Sequence, residues 1–506
     1  LKKISQLKGG AALSFTSIFL TNIIGLVITP FIIKSLGSSE YGLYTMIGAL
    51  IGYLSVLDFG LNNTVIRYVA KYRAESDYQG EQNFLAHSFI MYGVISLLII
   101  VVGIVFYLQL DDIYGGNLDS NQIDKAKTML SILIFNLAIT LPGGAFTGIC
   151  YGYEQFILPK IVTIFRYIIR SVLVVVVLSF HGDSVSLVII DTILNLLIIG
   201  VNAYIAFKIL KAKVRLHSYN SKLFYQILGF SIWLFVFALV HQLRWQFGQL
   251  ILGLFYPTAT IAIYAVGITI GNYYGAFSNA IASVFLPRAI QMTVKNSTED
   301  QLTDMFIKVS RIILIILMIV LGGFITIGED FIYFWVGNEY QDAYYYIVAI
   351  MIGLTPILTQ GFANNILEAK SLMSFRGKII LILTIAGVIV SYFMAKYFGI
   401  MEMILATIFF MILERVIMTP YYHKRANLNM FRYYREIVPL IIHALIIITI
   451  FVLVKAFFPA EMIFYTLLKM ILYVLVYTSS IIFILSKYEK ELFKKTLANF
   501  IQRFNS

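Results

Sequence analysis

The sequence predicts an all-α integral membrane protein of about fourteen transmembrane helices, and three observations carry that expectation. First, 60% of the 506 residues are hydrophobic and only 13% are charged, about half the charged fraction of a soluble globular domain. With a mean hydropathy of +0.86, there is too little polar surface to clothe a water-soluble chain. Second, residues 9–33, 82–110, 128–153 and 343–367 contain no Asp, Glu, Lys or Arg, and each run exceeds the ~20 residues a spanning helix needs. Third, basic residues concentrate in every other connection, as the positive-inside rule requires. No alternation of ten-residue segments suggests an outer-membrane barrel.

The elements follow in order from those charges. Span one (11–33) rises from three basic residues, and span two (41–59) returns to three more in 60–83. The basic start Leu1-Lys2-Lys3 and the apolar stretch from Gly9 could mimic a signal peptide. That stretch is too long, however, and lacks a small-residue cleavage site, so it reads as the first span. Spans three (84–108) and four (127–150) return the chain to Lys160. Spans five (156–180) and six (184–207) lead to five basic residues in 208–222. The longest charge-free run, 245–287, holds the end of span seven (223–253) and span eight (259–287), divided at Tyr256-Pro257-Thr258, where proline disfavours helix continuation. Four basic residues in 288–311 precede spans nine (307–328) and ten (343–367), and three lie in 368–378. Spans eleven (377–396) and twelve (400–422) end among five in 414–436. Spans thirteen (437–458) and fourteen (462–486) deliver the chain to a basic tail.

In this register twenty-nine of the 38 basic residues face the cytoplasm. Five face outward, namely Lys34, Lys125, Lys127, Lys396 and Lys455, and four lie at membrane depth: Arg166, Arg170, Arg244 and Lys469. Both termini are then cytoplasmic in a multi-pass inner-membrane protein. The net charge of +12 reflects orientation and attraction to anionic membrane lipids rather than nucleic-acid binding. The tail Lys487–Ser506 interleaves Lys490, Lys494, Lys495 and Arg503 with Leu492, Phe493, Leu497, Phe500, Ile501 and Phe504, the pattern of an interfacial amphipathic helix.

No connection is long enough for a soluble domain, so organisation comes from repeated helices. A shift of 220 residues lays Tyr44 on Tyr264, Gly42-Leu43-Tyr44 on Ala262-Ile263-Tyr264, and Asp58-Phe59-Gly60 on Ser278-Asn279-Ala280. Spans one to six then correspond to spans seven to twelve in parallel orientation, an arrangement that places transport sites near the midplane. The expected divisions are an N-lobe (1–215), a C-lobe (216–430), and spans thirteen and fourteen with the tail (431–506).

Ionisable groups at membrane depth cost roughly 3 kcal/mol each on insertion scales, so they face a cavity or a partner. Arg166 and Arg170 share one face of span five, a third to half way in from the cytoplasmic end. Snorkelling would satisfy Arg166 more easily than Arg170; lining an inward-opening cavity is the functional alternative. Span seven carries His241-Gln242-Leu243-Arg244-Trp245-Gln246-Phe247-Gly248-Gln249. Arg244 is too far from Lys222 to snorkel inward, and Gln242, Gln246 and Gln249 give its helix a polar stripe. Either a buried hydrogen-bond network or a cavity for an anionic headgroup accounts for it, and guanidinium forks suit phosphate oxygens. Asp191 and Asn195 share a face of span six; Asp191 either pairs with an arginine or exchanges protons as a coupling carboxylate. Asp58 and Glu414 sit near cytoplasmic helix ends as local ion-pair partners, Asp58 with Arg67.

The chain has no Walker sequence, no His-Glu-x-x-His and no nucleophile elbow, and its six histidines and one cysteine do not form a metal spacing. The reading is of a non-enzyme without cofactors, unable to hydrolyse ATP itself.

The stretch Ile32-Ile33-Lys34-Ser35-Leu36-Gly37-Ser38-Ser39-Glu40-Tyr41-Gly42-Leu43-Tyr44 resembles the span one-to-two signature of bacterial polysaccharide flippases. So do Leu57-Asp58-Phe59-Gly60-Leu61, Arg67-Tyr68-Val69-Ala70, and Gln249–Phe255 through Ile263-Tyr264-Ala265. The resemblance covers nearly the whole chain and implies the multidrug/oligosaccharidyl-lipid/polysaccharide exporter fold, two six-helix lobes around a central cavity. It implies alternating-access transport of a lipid-linked oligosaccharide, on an undecaprenyl-pyrophosphate-type carrier, from the inner to the outer leaflet. H+ or Na+ is the candidate coupling ion, and polysaccharide polymerase machinery the candidate partner. Where some relatives carry an acidic residue in span seven, this chain has Gln242 to Gln249 and no carboxylate. Within the same fold the alternatives are a cation-coupled multidrug exporter and a flippase of the peptidoglycan lipid precursor.

Overall fold

A computed structural model describes residues 6–219, 235–294, 297–370, 372–455, 463–486 and 488–491, and these contain helices and no strand. In chain order the helices are α1 (Gln6–Leu36), α2 (Ser38–Ser55), α3 (Leu61–Ala74), α4 (Tyr78–Tyr114), α5 (Ser120–Gly152), α6 (Ile157–Ser179) and α7 (Ser184–Tyr204). They continue with α8 (residues 235–245), α9 (Phe247–Phe255), α10 (Thr258–Val294), α11 (Glu299–Trp335), α12 (Ala343–Thr359), α13 (Gly361–Ala369), α14 (Met373–Tyr397), α15 (Ile400–Arg425), α16 (Met430–Lys455) and α17 (Ile463–Ile481). Among the described residues, each expected span falls on one of these helices or on two consecutive ones, span seven only from residue 235 onward. Ten helical stretches among the described residues are long and apolar enough to cross a membrane. Their outward faces carry Val94, Leu97, Leu108, Ile382 and Leu453, each more than 60% exposed, which only a lipid environment tolerates in such numbers. The chain is an all-α membrane protein.

Helix starts follow local chemistry. Asp119 opens α5 by accepting from the Gln122 N–H at 2.8 Å while the Gln122 side chain accepts from the Asp119 N–H at 3.1 Å, a reciprocal capping box. Asp183 and Ser186 do the same for α7, and Thr298 and Gln301 for α11. Asp77 caps α4 through the Gly80 N–H at 2.8 Å.

Several boundaries differ from the sequence reading. The connection 60–83 is itself largely helical: Phe59 (φ 50) and Gly60 (φ 68) adopt left-handed conformations that stop the preceding helix, and the chain turns into amphipathic α3. Its buried Leu61, Val65 and Val69 pack against α5, where Gly148 and Gly152 leave room for the two valines. Expected span three (84–108) extends to Tyr78–Tyr114, and span nine (307–328) to Glu299–Trp335. Span ten is interrupted at Gln360, between α12 and α13. The amphipathic tail lies outside the described residues except for 488–491, as does the first part of span seven, 223–234.

The chain forms two compact units, Leu1–Ala265 with Ile380–Met403, and Val266–Ile379 with Ile404–Ser506. In the first, α5 packs against α2, α3, α4 and α7, and α1 against α6. Its core includes Leu43, Met46, Phe84, Tyr92, Met129 and Ile149, all at most 1% exposed. In the second, α11 is central, packed by α12, α13, α16 and α17 around Phe306, Phe362, Tyr433, Tyr473 and Tyr477.

Candidate functional site

Within the first unit, α6 and α7 form an antiparallel pair joined by residues 180–183. Arg170 lies nine residues before the end of α6 at Ser179, and Asp191 seven after the start of α7 at Ser184. At ~1.5 Å rise per residue the two side chains meet nearly level. Arg170 Nε donates to Asp191 Oδ1 at 2.5 Å and its Nη2 to Oδ2 at 2.9 Å, a bidentate fork. Tyr44 of α2 stands close enough for its hydroxyl to interact with both. The charge of Arg170 is therefore balanced by a carboxylate. One turn earlier, Arg166 is different: its Nε is buried and has no hydrogen-bond partner, and its guanidinium lies 5.9 Å from the ring of Tyr167. Asn195, one turn from Asp191, donates to Asn136 Oδ1 at 2.9 Å, which ties α7 to α5.

The second polar cluster lies on α8 and α9. Gln242 faces α2: its Nε2 donates to the Gly52 carbonyl at 2.9 Å, while Tyr53 Oη donates to the Gln242 carbonyl at 3.1 Å. Its Oε1 is buried without a hydrogen-bond partner, as is that of Gln249. Arg244, two residues on, reaches α14, where Nε donates to Thr384 Oγ1 at 3.0 Å. Gln246 sits at the break between α8 and α9, so the residues expected on one continuous stripe belong to two helices. His241, on the same helix as Arg244, is exposed. The structure thus gathers Arg170, Asp191 and Tyr44 in one cluster, and places Gln242 on α2 and Arg244 on α14.

The remaining carboxylates are local. Asp58 lies beside Tyr92 and the N–H groups of Gly60 and Asn62, where it stabilises the start of α3. Glu414 pairs with Arg415, both essentially buried, and Arg415 donates to Tyr422 Oη at 3.1 Å. Sequence reasoning missed Tyr44 and Thr384. Neither is charged, and Thr384 lies 140 positions from the arginine it meets, so no local pattern could announce it.

Residues 7–293 match the family model described as "Polysaccharide biosynthesis protein". A Shigella flexneri protein named "Putative O-antigen transporter" is 24% identical over 333 residues, which is 64% of this chain and 75% of that one. Among solved structures, the lipid II flippase MurJ in an inward closed conformation superposes with a TM-score of 0.72 at 16% identity, covering 94% of this chain and 98% of MurJ. A multidrug-resistance MATE transporter of the MOP superfamily in an inward-facing conformation gives 0.64 at 14% identity, covering 81% and 94%. The chain belongs to the polysaccharide biosynthesis protein family and has the fold of the MOP superfamily of membrane transporters.

Proposed function

We propose that the protein is a flippase that carries a lipid-linked oligosaccharide from the inner to the outer leaflet by alternating access, for cell-surface polysaccharide assembly. Arg244 and Arg166 would be the principal contacts to the pyrophosphate-type headgroup, with Arg170 contributing from its pair with Asp191. A phosphate-bearing sugar cannot enter hydrocarbon without replacement contacts for its lost water. Guanidinium groups at membrane depth supply them, and Gln242, Gln246 and Gln249 add amide groups for sugar hydroxyls. The observation that carries this reading is Arg166: a guanidinium nitrogen buried with no partner, one turn from a closed ion pair, is a group prepared for an anion. Family membership and the O-antigen name of the Shigella protein favour an oligosaccharide. The likeness to MurJ keeps the peptidoglycan lipid precursor as the second reading.

The test is identification of the lipid-linked sugar that accumulates on the inner leaflet when the protein is depleted, followed by flipping of that lipid in proteoliposomes. Losing a charged hydrogen bond is worth about 1.5–3 kcal/mol, so Arg244→Ala should weaken headgroup binding roughly 10- to 100-fold. Arg244→Lys should retain part of it, as a point charge without the fork. Undiminished flipping by both Arg244→Ala and Arg166→Gln would overturn the headgroup assignment. Accumulation of the peptidoglycan precursor alone would select the second reading, and export of organic cations without lipid flipping would reject both.

A further inference from the structure

After α7 the chain passes through one π-helical turn, Ile205–Ile209, and then runs without regular structure from 211 to 219. The sequence there is Lys211-Ala212-Lys213-Val214-Arg215-Leu216-His217, a strict alternation of basic and apolar residues. Lys211 is left-handed (φ 55), Ala212 is buried, and the side chains from Lys213 to His217 are exposed. The segment is strapped onto the first turns of α4. Arg215 N–H donates to the Gln82 carbonyl at 3.4 Å, and the N–H groups of His217 and Ser218 share Asn83 Oδ1 at 3.0 and 3.1 Å. The His217 and Gln82 side chains meet at 3.1 Å, and the Tyr219 ring stacks on buried His87 with centroids 5.6 Å apart.

Two features make this strap more than a solvated connection. The contacts hold its backbone in place while Lys211, Lys213 and Arg215 remain exposed; among the described residues neither they nor Lys208 form an ion pair. The neighbouring acids of the α3–α4 turn are already engaged. Glu81 accepts from Tyr153 Oη at 2.6 Å and lies 3.6 Å from Arg73, Asp77 caps α4, and Glu75 pairs with Lys71. No acidic residue occurs anywhere between Asp191 and Glu299. The strap also lies at a defined depth. Gln82 and Asn83 immediately precede the apolar part of α4, which is headgroup level on the cytoplasmic side in the charge-derived topology, and Val214, Leu216 and Tyr219 are exposed beside them.

We infer that residues 211–217 form a docking strip for anionic phospholipid headgroups of the inner leaflet, with Lys211, Lys213 and Arg215 on the phosphates and Val214 and Leu216 at the acyl boundary. Each basic side chain near an anionic bilayer contributes roughly a five-fold change in partitioning, so the three together are worth about a hundred-fold.

Hydrogen exchange of the full chain tests this in two nanodiscs, phosphatidylcholine alone and phosphatidylcholine with about one third phosphatidylglycerol. In the anionic discs the peptide covering 211–219 should exchange several-fold more slowly, and high salt should shrink the difference. The variant K211Q/K213Q/R215Q should abolish the difference while α4 peptides exchange as in the parent. Equal exchange in both discs overturns the proposal, as does a difference that survives the triple substitution or is reproduced by inorganic phosphate in phosphatidylcholine discs. Loss of α4 protection in the variant would also overturn it, by making the basic residues a structural clamp.

Discussion

Neutralising Asp191 should destabilise the protein more than neutralising Asp191 and Arg170 together. Two unit charges about 4 Å apart attract by roughly 4 kcal/mol at an effective dielectric near 20, and the bidentate geometry adds orientation. Solvent trims that figure, because 24% of the Arg170 side chain and 21% of that of Asp191 remain accessible. A coupling of about 2–3 kcal/mol remains. Asp191→Asn leaves a guanidinium at membrane depth without its counter-charge, and Arg170→Gln leaves a carboxylate. Each should cost about 3 kcal/mol, the lower end for breaking a buried pair. The double variant R170Q/D191N places two amides within hydrogen-bonding reach and should cost about 1 kcal/mol or less. Thermal unfolding of the purified variants in detergent, followed by size exclusion, gives the order directly: both single variants melt below the parent and the double variant recovers most of the loss. Additive losses, or single variants that melt like the parent, would refute the pairing. A flipping assay separates the roles of Asp191. Stable R170Q/D191N that still transports makes the pair architectural, whereas a stable variant without transport gives the pair a role in transport, through headgroup binding by Arg170 or coupling by Asp191.

Other outcomes follow from the same geometry. Burial opposes ionisation of Glu489, but Arg311, which donates to it at 2.7 and 3.1 Å, and the Ser486 N–H hold its carboxyl below the usual glutamate value of 4.5. A depressed folded value means the stabilisation is complete above pH 4.5 and is lost as pH falls through the folded value; the melting difference between the parent and Glu489→Gln should therefore be full at neutral pH and vanish in acid. A methyl group at Gly42 would lie 1.8 Å from the Thr258 carbonyl oxygen, so Gly42→Ala must push α2 away from the start of α10, costing about 1–3 kcal/mol and lowering the melting temperature where Gly48→Ala, with open space around it, does not. Tyr153→Phe removes the 2.6 Å hydrogen bond to buried Glu81 and should cost about 1.5–3 kcal/mol, read as faster exchange of the α4 N-terminal amides.

How much was legible differs by level. Residues that meet lipid announced themselves, because hydrocarbon imposes one requirement on every side chain it touches and long charge-free runs satisfy it. The break at Tyr256-Pro257 was equally readable, since proline acts within a turn of itself. The chain reversal at Phe59-Gly60 was not: α3 is only moderately apolar, and its helical state depends on Val65 and Val69 fitting Gly148 and Gly152 some eighty residues away. At the site, the cost of a charge in hydrocarbon singled out Arg166, Arg170, Arg244 and Asp191. It did not say which of them were already satisfied.

Composition and spacing determined that this chain lives in a membrane as a bundle of helices, because those properties sum over local preferences for solvent. Tertiary structure alone decided that Asp191 silences Arg170 while the Nε of Arg166 stays open, that Gln242 and Arg244 turn to different helices, and that a basic strap is fastened to α4. Each of these depends on which side chains from distant positions come within about 3 Å, and hydrogen bonds and ion pairs act only at that range.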